Sequence, residues 1–160
     1  MSYSATQSGP IVEAIRQVKA DWGREQRLAN YLESVLPWSL TPTPAFYFTD
    51  YHINRKLEQG RESYIGDVEM KWLNTPSTQT AIFNYNKLQL MAAVPVYTQG
   101  VESYHRICFR FTDGLLLVPA LALLRLPPVL FTRSDTHETD LVVKVKASEY
   151  ASCFRPERVD

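Results

Sequence analysis

The 160-residue chain has little cysteine, no net charge and no long hydrophobic run, and each of these absences excludes a class of protein. Its two cysteines, Cys108 and Cys153, are too few and too far apart for a disulfide framework or a thiolate metal site. Lysine plus arginine number 17, as do aspartate plus glutamate, so the formal net charge is zero. A nucleic-acid partner would therefore need a local basic patch, because no global positive field would attract it.

Membrane-spanning and secreted classes are not expected either. The longest apolar run, residues 115–124, is too short to span a bilayer, and the polar residues 1–9 lack the pattern of a secretion signal. We therefore expect a cytoplasmic protein without a membrane partner. The composition, 45% hydrophobic and 21% charged, is ordinary for a globular chain without repeats. The Ser/Gly/Pro composition at the start predicts a flexible tail at residues 1–9, and the length predicts a single domain at residues 10–160.

The stretch Tyr64–Leu73 predicts a β-strand with two chemically different faces. Because successive side chains of a strand point to opposite faces, Asp67, Glu69 and Lys71 would share one of them. The opposite, core-facing side would carry the apolar residues Val68, Met70 and Trp72. Two acids so close on one face repel each other unless a cation lies among them, and Mg²⁺ or Mn²⁺ prefers such oxygen ligands. An edge strand with one solvated polar face explains the same pattern.

Elsewhere the chain alternates between helical and extended patterns. Apolar residues recur at steps of three and four from Ile11 to Leu36, which predicts a first helix, continuous or interrupted at Gly23. Further predicted elements are strands over 46–53, 63–73, 104–111, 115–120 and 140–147, a helix over 86–94 capped by Asn84 or Asn86, and loops over 39–44, 54–62 and 75–80. This order indicates an α/β or α+β sheet with helices packed on it.

Five polar positions are hard to explain as ordinary surface: Glu25, Asp50, Glu69, Lys71 and one of Lys87 or Gln89. Glu25 falls in register with the apolar stripe of the first helix, so it lies either at the exposed edge of that helix or reaches a cation at an active face. Asp50 lies on the predicted strand before Glu69. The strand register that would bring the two acids together is not readable from the sequence.

Other chemically suggestive residues have simpler interpretations. His52, His105 and His137 lack metal-ligand spacing, so we interpret them as surface or hydrogen-bonded residues. The aromatic residues Phe46, Tyr47, Phe48 and Trp72 are interpreted as core and not as a platform for stacking bases.

The layout of a helix, acid-bearing strands and a second helix resembles the PD-(D/E)xK nuclease superfamily. The motif lysine would be in Glu69-Met70-Lys71 and the upstream acid in Thr49-Asp50-Tyr51, although Thr49 stands where the family often has proline. Residues 108–115, CFRFTDGL, look like small phage-type or resolvase-like members, in which a strand ends in an R-[FW]-x-D-G turn. Residues 133–135 and 142–145 look similar too.

The resemblance implies a restriction-endonuclease-like core, a mixed central sheet flanked by helices, that hydrolyses DNA phosphodiester bonds with a metal ion. Asp50, Glu69 and the backbone carbonyl of Met70 would bind Mg²⁺ or Mn²⁺. Lys71 would orient or activate the attacking water and stabilise charge on the phosphate. Glu25 would lie outside the first metal's ligands or bind a second metal. Either Lys87 or Gln89 would contact the scissile phosphate.

DNA is the expected partner, held by a rim of basic residues: Arg24, Arg27, Arg55, Lys56 and Lys87. A homodimer is also expected, because many nucleases of this type act as dimers. Asp67 is an additional acid that either substitutes for a metal ligand or lies in solvent. The alternative function is a nucleic-acid-binding or phage assembly protein on the same fold that has lost catalysis.

Overall fold

The computed structural model describes residues 22–45, 47–97 and 100–160. Expectations for the tail at residues 1–9, for the first helix before residue 22 and for Phe46 fall outside these residues. The described chain is a mixed α/β structure, with a six-stranded mixed sheet, a three-stranded sheet and packed helices. No helix in the described part of the chain is long and apolar enough to cross a membrane.

The helices and strands have the following bounds along the chain. They are α1 (22–35), β1 (Trp38–Pro42), β2 (Tyr51–Lys56), β3 (Glu62–Trp72), β4 (Ala81–Asn84), α2 (Tyr85–Ala93), β5 (Arg106–Phe111), β6 (Gly114–Pro119), α3 (Ala120–Leu124), β7 (Val129–Thr132), β8 (Thr139–Val145) and β9 (Phe154–Arg155). Short 3₁₀ turns cover Glu58–Gly60 and Ala147–Cys153.

The large sheet has the order β1-β2-β3-β5-β6-β9, and only its β3–β5 pair is parallel. Parallel neighbours need a crossover connection, and here β4 and α2 lie in the chain between β3 and β5. The small sheet has the order β4-β8-β7 and is antiparallel throughout.

Two hydrophobic cores cover the two faces of the large sheet. Leu28 and Leu32 of α1 pack in one core with Val68 of β3 and Cys108 of β5. The neighbouring β5 residue Phe109 belongs to the other core, which contains α2, α3 and the small sheet. The alternation along β5 therefore places α1 on one face of the sheet and α2 with the small sheet on the other.

Several predicted elements are present with shifted ends, and some predictions were wrong. The helix over 86–94 and the strands over 104–111, 115–120 and 140–147 correspond to α2, β5, β6 and β8. The predicted loop at 39–44 contains most of β1, which pairs with β2 as an edge strand where a terminal proline is tolerated. The predicted strand over 46–53 starts only at Tyr51, and β2 runs on into the predicted turn. The strands β4, β7 and β9 were not predicted.

A bulge in β3 decides which side chains share a face. Ile53 pairs with Gly66 but Asn54 pairs with Tyr64, so Ile65 is an extra residue on β3. Gly66 has a φ of +122°, and a Cβ there would collide with the backbone carbonyl of Tyr104. Because the bulge reverses the alternation, Ile65 joins Val68 in the α1 core. Tyr64 therefore lies on the same face as Asp67.

Candidate active site

The register of β2 against β3 brings the two predicted metal-binding acids together. Tyr51 pairs with Val68, and the Asp50 N–H donates to the Val68 carbonyl at 3.2 Å, so Asp50 lies opposite Glu69. The Asp50 Oδ2 accepts a hydrogen bond of 2.7 Å from the Met70 N–H. The prediction that Asp50 lies on a strand was wrong, because Asp50 is in the bend immediately before β2.

Both acids have perturbed pKa values. Burial raises the pKa of Asp50, against the Met70 hydrogen bond and the positive charge of Lys87. Burial and the Asp50 charge raise the pKa of Glu69 to about 7, although Lys87 favours its ionised form. For both acids, the rise in pKa caused by loss of surrounding water is thus larger than the fall caused by the neighbouring Lys87 ammonium.

Glu69 is the acid with an incomplete set of partners. Its side chain is 12% exposed, and its Oε1 accepts from the Lys87 Nζ at 2.6 Å. Its Oε2 is buried and receives no hydrogen bond from an N–H or O–H group of the described residues, although a carboxyl–carboxyl hydrogen bond with Asp50 contributes to the pKa of Asp50. A buried polar oxygen left unpaired is costly, so this atom marks a position where a ligand would be favourable.

Two further cationic side chains lie near this site. Lys71 follows Glu69 on the same face of β3, and burial followed by the charge of Arg133 lowers its pKa. Arg133 lies in the turn between β7 and β8, where its Nε pairs with Asp140 at 3.1 Å. Arg133 was not among the predicted site residues. The likeness of residues 133–135 to the nuclease pattern was the one sequence signal for it.

The structure distinguishes between the two predicted phosphate contacts on α2. Asn84 caps this helix by accepting from the Lys87 N–H at 3.0 Å, and the Lys87 side chain reaches Glu69. Gln89 is exposed and lies about 200° further around the helix, because each residue turns it by about 100°. Lys87 is therefore at the site and Gln89 is not.

Glu25 lies near the two acids from the side of α1. It is half-buried, and its charge adds to the rise in the pKa of Glu69. Together with Asp50 it lines a cavity of about 450 Å³ between α1 and the residues before β2. Glu25 therefore lies close to the two acids, and both interpretations of its role stay predictions.

The predicted basic rim is divided among different partners. Lys87 pairs with Glu69, Arg55 pairs with Glu102, and Arg27 stacks over the Trp72 ring at 5.5 Å. Lys56 is exposed at the end of β2. Arg24 lies close enough for its charge to affect Arg110, which also stacks on Trp72. Lys87 and Lys71 are thus the cations close to Glu69, and Arg133 lies close enough to Lys71 to lower its pKa.

Asp67 does not lie in solvent, which was one of the two interpretations offered for it. It is fully buried and not in solvent, and its oxygens contact three partners. Oδ1 accepts from the Tyr64 hydroxyl and contacts the His52 Nδ1, both at 2.7 Å, while Oδ2 accepts from the Thr49 hydroxyl at 3.1 Å. With these three contacts, Asp67 anchors the neighbouring side chains of Thr49, His52 and Tyr64.

The histidine interpretation is confirmed and one aromatic interpretation is wrong. His52 and His105 are hydrogen-bonded, and His137 is exposed. Tyr47, predicted as core, is 40% exposed and stands at the cavity beside Asp50. Phe48 and Trp72 do pack against the cores.

Within the described residues, no three histidine, cysteine, aspartate or glutamate side chains converge to hold a metal ion. The side chains that can ligate at this site are thus the pair Asp50 and Glu69. No protein-family model, no curated protein and no solved structure matches this chain. The interpretation of the site therefore rests on its geometry.

Proposed function

We propose that the protein is a metal-dependent nuclease that hydrolyses DNA phosphodiester bonds at a site formed by Asp50, Glu69 and Lys71. One observation carries the proposal: two half-buried carboxyl groups adjoin, one of them has a buried oxygen that receives no hydrogen bond from an N–H or O–H group of the described residues, and cations stand beside them. Two adjoining carboxyl groups repel each other when no cation lies between them. A bound divalent cation and a phosphate would make the same arrangement of charges favourable.

The residues fit a divalent cation. Burial and mutual repulsion hold the pKa values of Asp50 and Glu69 above their ordinary range, and a cation would offset both effects. Mg²⁺ is commonly bound by one or two carboxylates while keeping several waters, so a third acidic ligand is not required. The Met70 carbonyl, between Glu69 and Lys71, is the backbone ligand that the resemblance implies. When bound, Mg²⁺ or Mn²⁺ supplies a water of lowered pKa and polarises a phosphoryl oxygen.

The three cations have distinct tasks in this proposal. Lys71 orients the attacking water and stabilises the charge that develops on the phosphate. Lys87 holds the Glu69 carboxylate in place and offers further hydrogen bonds to a phosphate oxygen. Arg133 adds positive charge near Lys71, which would favour a phosphate there.

The order of the elements supports the same proposal. The order is a helix, a strand pair, a crossover helix and a strand parallel to the second of the pair, here α1, β2 with β3, α2 and β5. This is the order of the restriction-endonuclease-like core. Glu69 lies on β3, and Asp50 immediately precedes β2. Fold analogy raises the expectation of nuclease chemistry, and the side chains carry the argument.

Cleavage assays test the proposal directly. Supercoiled plasmid, single-stranded circle and a four-way junction would be incubated with Mg²⁺ or Mn²⁺, wild type beside Lys71→Ala. Lys144→Ala, which removes an exposed lysine of β8, is the matched control. We expect cutting by wild type and control, and at least about a 100-fold loss in Lys71→Ala. Equal cutting by Lys71→Ala, or cutting that persists in chelator, would refute the proposal.

A thermal shift tests the metal site without relying on activity. We expect Mn²⁺ or Ca²⁺ at pH 8 to raise the melting temperature of the wild type, because a ligand that binds the folded state stabilises it. Asp50→Ala should abolish this rise. A metal-dependent rise that survives in Asp50→Ala would place the ion elsewhere.

The Lys87–Glu69 ion pair favours a second candidate function. Its ammonium already occupies one Glu69 oxygen at 2.6 Å, as expected if lysine has replaced the metal in a nucleic-acid-binding or phage assembly protein without catalysis. DNA binding without cutting and without a metal-dependent thermal shift would support the binding protein. Absence of DNA binding as well would favour a structural role in assembly.

A further inference from the structure

A second cavity adjoins the candidate active site on the same face of β3. Its volume is about 470 Å³, and it is lined by Thr41, Tyr47, His52, Asn54, Tyr64, Val94, Pro95 and Tyr97. We name it the aromatic cavity. Tyr47 also lines the cavity that contains Glu25 and Asp50, so the two cavities share this ring as a wall.

Buried groups fix the rings of the aromatic cavity in place. Asp67 holds both the His52 Nδ1 and the Tyr64 hydroxyl at 2.7 Å, so neither ring is free to rotate away. The His52 ring meets Tyr47 and Tyr64 edge-on, with centroid distances of 5.4 and 5.9 Å. The His52 Nε2, on the far side of the ring from Asp67, makes no hydrogen bond with the described residues. The cavity thus combines fixed ring surfaces with one open polar atom.

His105 holds the Val94 side of the aromatic cavity next to β3. Its Nδ1 accepts from the Asp67 N–H at 3.0 Å, so its Nε2 carries the proton and donates to the Val94 carbonyl at 2.8 Å. Val94 is part of the cavity wall, and the bond holds it against β3. A cavity supported from both sides by buried hydrogen bonds is preorganised for a flat ligand.

We infer that the aromatic cavity binds an unpaired nucleobase of the DNA strand whose phosphate lies at Asp50 and Glu69. This inference rests on the proposed function and deepens it, since it names the substrate as single-stranded DNA or DNA with an unpaired base beside the cut. Asp67 and Glu69 are about 7 Å apart along β3, so the two cavities are neighbours. Bases inside a duplex hide their ring faces, whereas unpaired bases stack on aromatic side chains irrespective of sequence.

Binding is tested with a single-stranded oligonucleotide that carries 2-aminopurine, whose fluorescence is quenched by stacking. The Glu69→Gln background prevents cleavage under the proposed function. We expect quenching on binding, about 10-fold weaker binding and loss of quenching when Tyr47→Ala is added, and recovery with Tyr47→Phe, which keeps the ring. Leu130→Ala, an exposed apolar change on β7, is the control and should bind like the background.

Cleavage separates this inference from the proposed function. With Mg²⁺ or Mn²⁺, we expect wild type to cut single-stranded or gapped DNA faster than a fully paired duplex, and Tyr47→Ala to remove that preference. Equal cutting of both substrates, unchanged in Tyr47→Ala, would refute the base-binding cavity while the nuclease stands. Tyr47-dependent quenching without cutting of any substrate would support the cavity and refute the nuclease. Neither quenching nor cutting would refute both.

Discussion

Asp67 and Glu69 are two acids on one face of the same strand, and the structure treats them in opposite ways. Asp67 is fully buried and its oxygens contact Thr49, His52 and Tyr64. Glu69 is slightly exposed, with one oxygen on Lys87 and the other without an N–H or O–H donor among the described residues. The same chemical group is thus a finished structural anchor at one position and an open ligand at the next but one. The number of donors around each carboxylate makes the difference.

The largest expected effect comes from removing the anchor. Asp67→Ala should lower the free energy of unfolding by about 3–4 kcal/mol, because it leaves buried donors of Thr49, His52 and Tyr64 without their acceptor. Glu69→Ala should change it by about 1 kcal/mol or less in chelator, since it also removes an unsatisfied oxygen. Urea unfolding at pH 7 measures both. Equal losses in the two variants would erase the distinction between anchor and ligand.

The β3 bulge, which puts Tyr64 on the same face as Asp67, gives the next largest effect. Gly66→Ala should destabilise by about 2–3 kcal/mol, because its φ of +122° disfavours a side chain and a Cβ meets the Tyr104 carbonyl. Gly23→Ala is the matched control, for which we expect a change in stability of the opposite sign. Gly23 is in α1, and none of the described residues has an atom within 4 Å of an added Cβ, so alanine should stabilise by up to about 1 kcal/mol. A tolerated Gly66→Ala would mean that Tyr64 and Asp67 share their face for another reason.

The open ligand should make stability depend on pH. The pKa of Glu69 is about 7 in the folded state and 4.5 in its ordinary range, so the folded state binds more protons between these values. The contribution of Glu69 to the free energy of unfolding is therefore fully present below pH 4.5 and is lost as the pH rises through about 7. In chelator, wild type should therefore lose on the order of 2 kcal/mol relative to Glu69→Gln between about pH 5 and pH 8.

The control for this pH dependence is the metal. Mn²⁺ at pH 8 should offset the loss in wild type, because it binds the ionised carboxylates, and should have little effect on Glu69→Gln. Stability curves of wild type and Glu69→Gln that run parallel with pH would show that Glu69 does not titrate in this range.

The smallest effect is expected at the edge of the site. Arg133→Ala should change stability by about 0.5 kcal/mol or less, because its ion pair with Asp140 is largely exposed. The same change should raise the pKa of Lys71 towards its ordinary value, since the Arg133 charge helps to lower it. Titration of the Lys71 side chain by NMR measures this shift. Arg125→Ala, an exposed change after α3, should leave the Lys71 titration unchanged.

Residues close together in the chain were predicted well. The apolar side of β3, the Asn84 cap of α2 and the hairpin between β5 and β6 all follow from periodicity or turn chemistry within a few residues. Lys71 and Lys87 were placed near Glu69 by the resemblance, and they lie there. The edge strands β1 and β4 escaped prediction because their pairing partners, and not their own residues, make them extended.

The sequence by itself determined that β3 has one apolar and one acidic face and that a capped helix follows it. Only the tertiary structure decided that Asp50 stands opposite Glu69, that Arg133 approaches Lys71 from a distant turn, and that Asp67 is fully buried. The physical reason is the separation along the chain over which each effect acts. Side-chain alternation and capping act over a few residues, whereas strand register and the burial of a carboxylate depend on which distant elements pack against it.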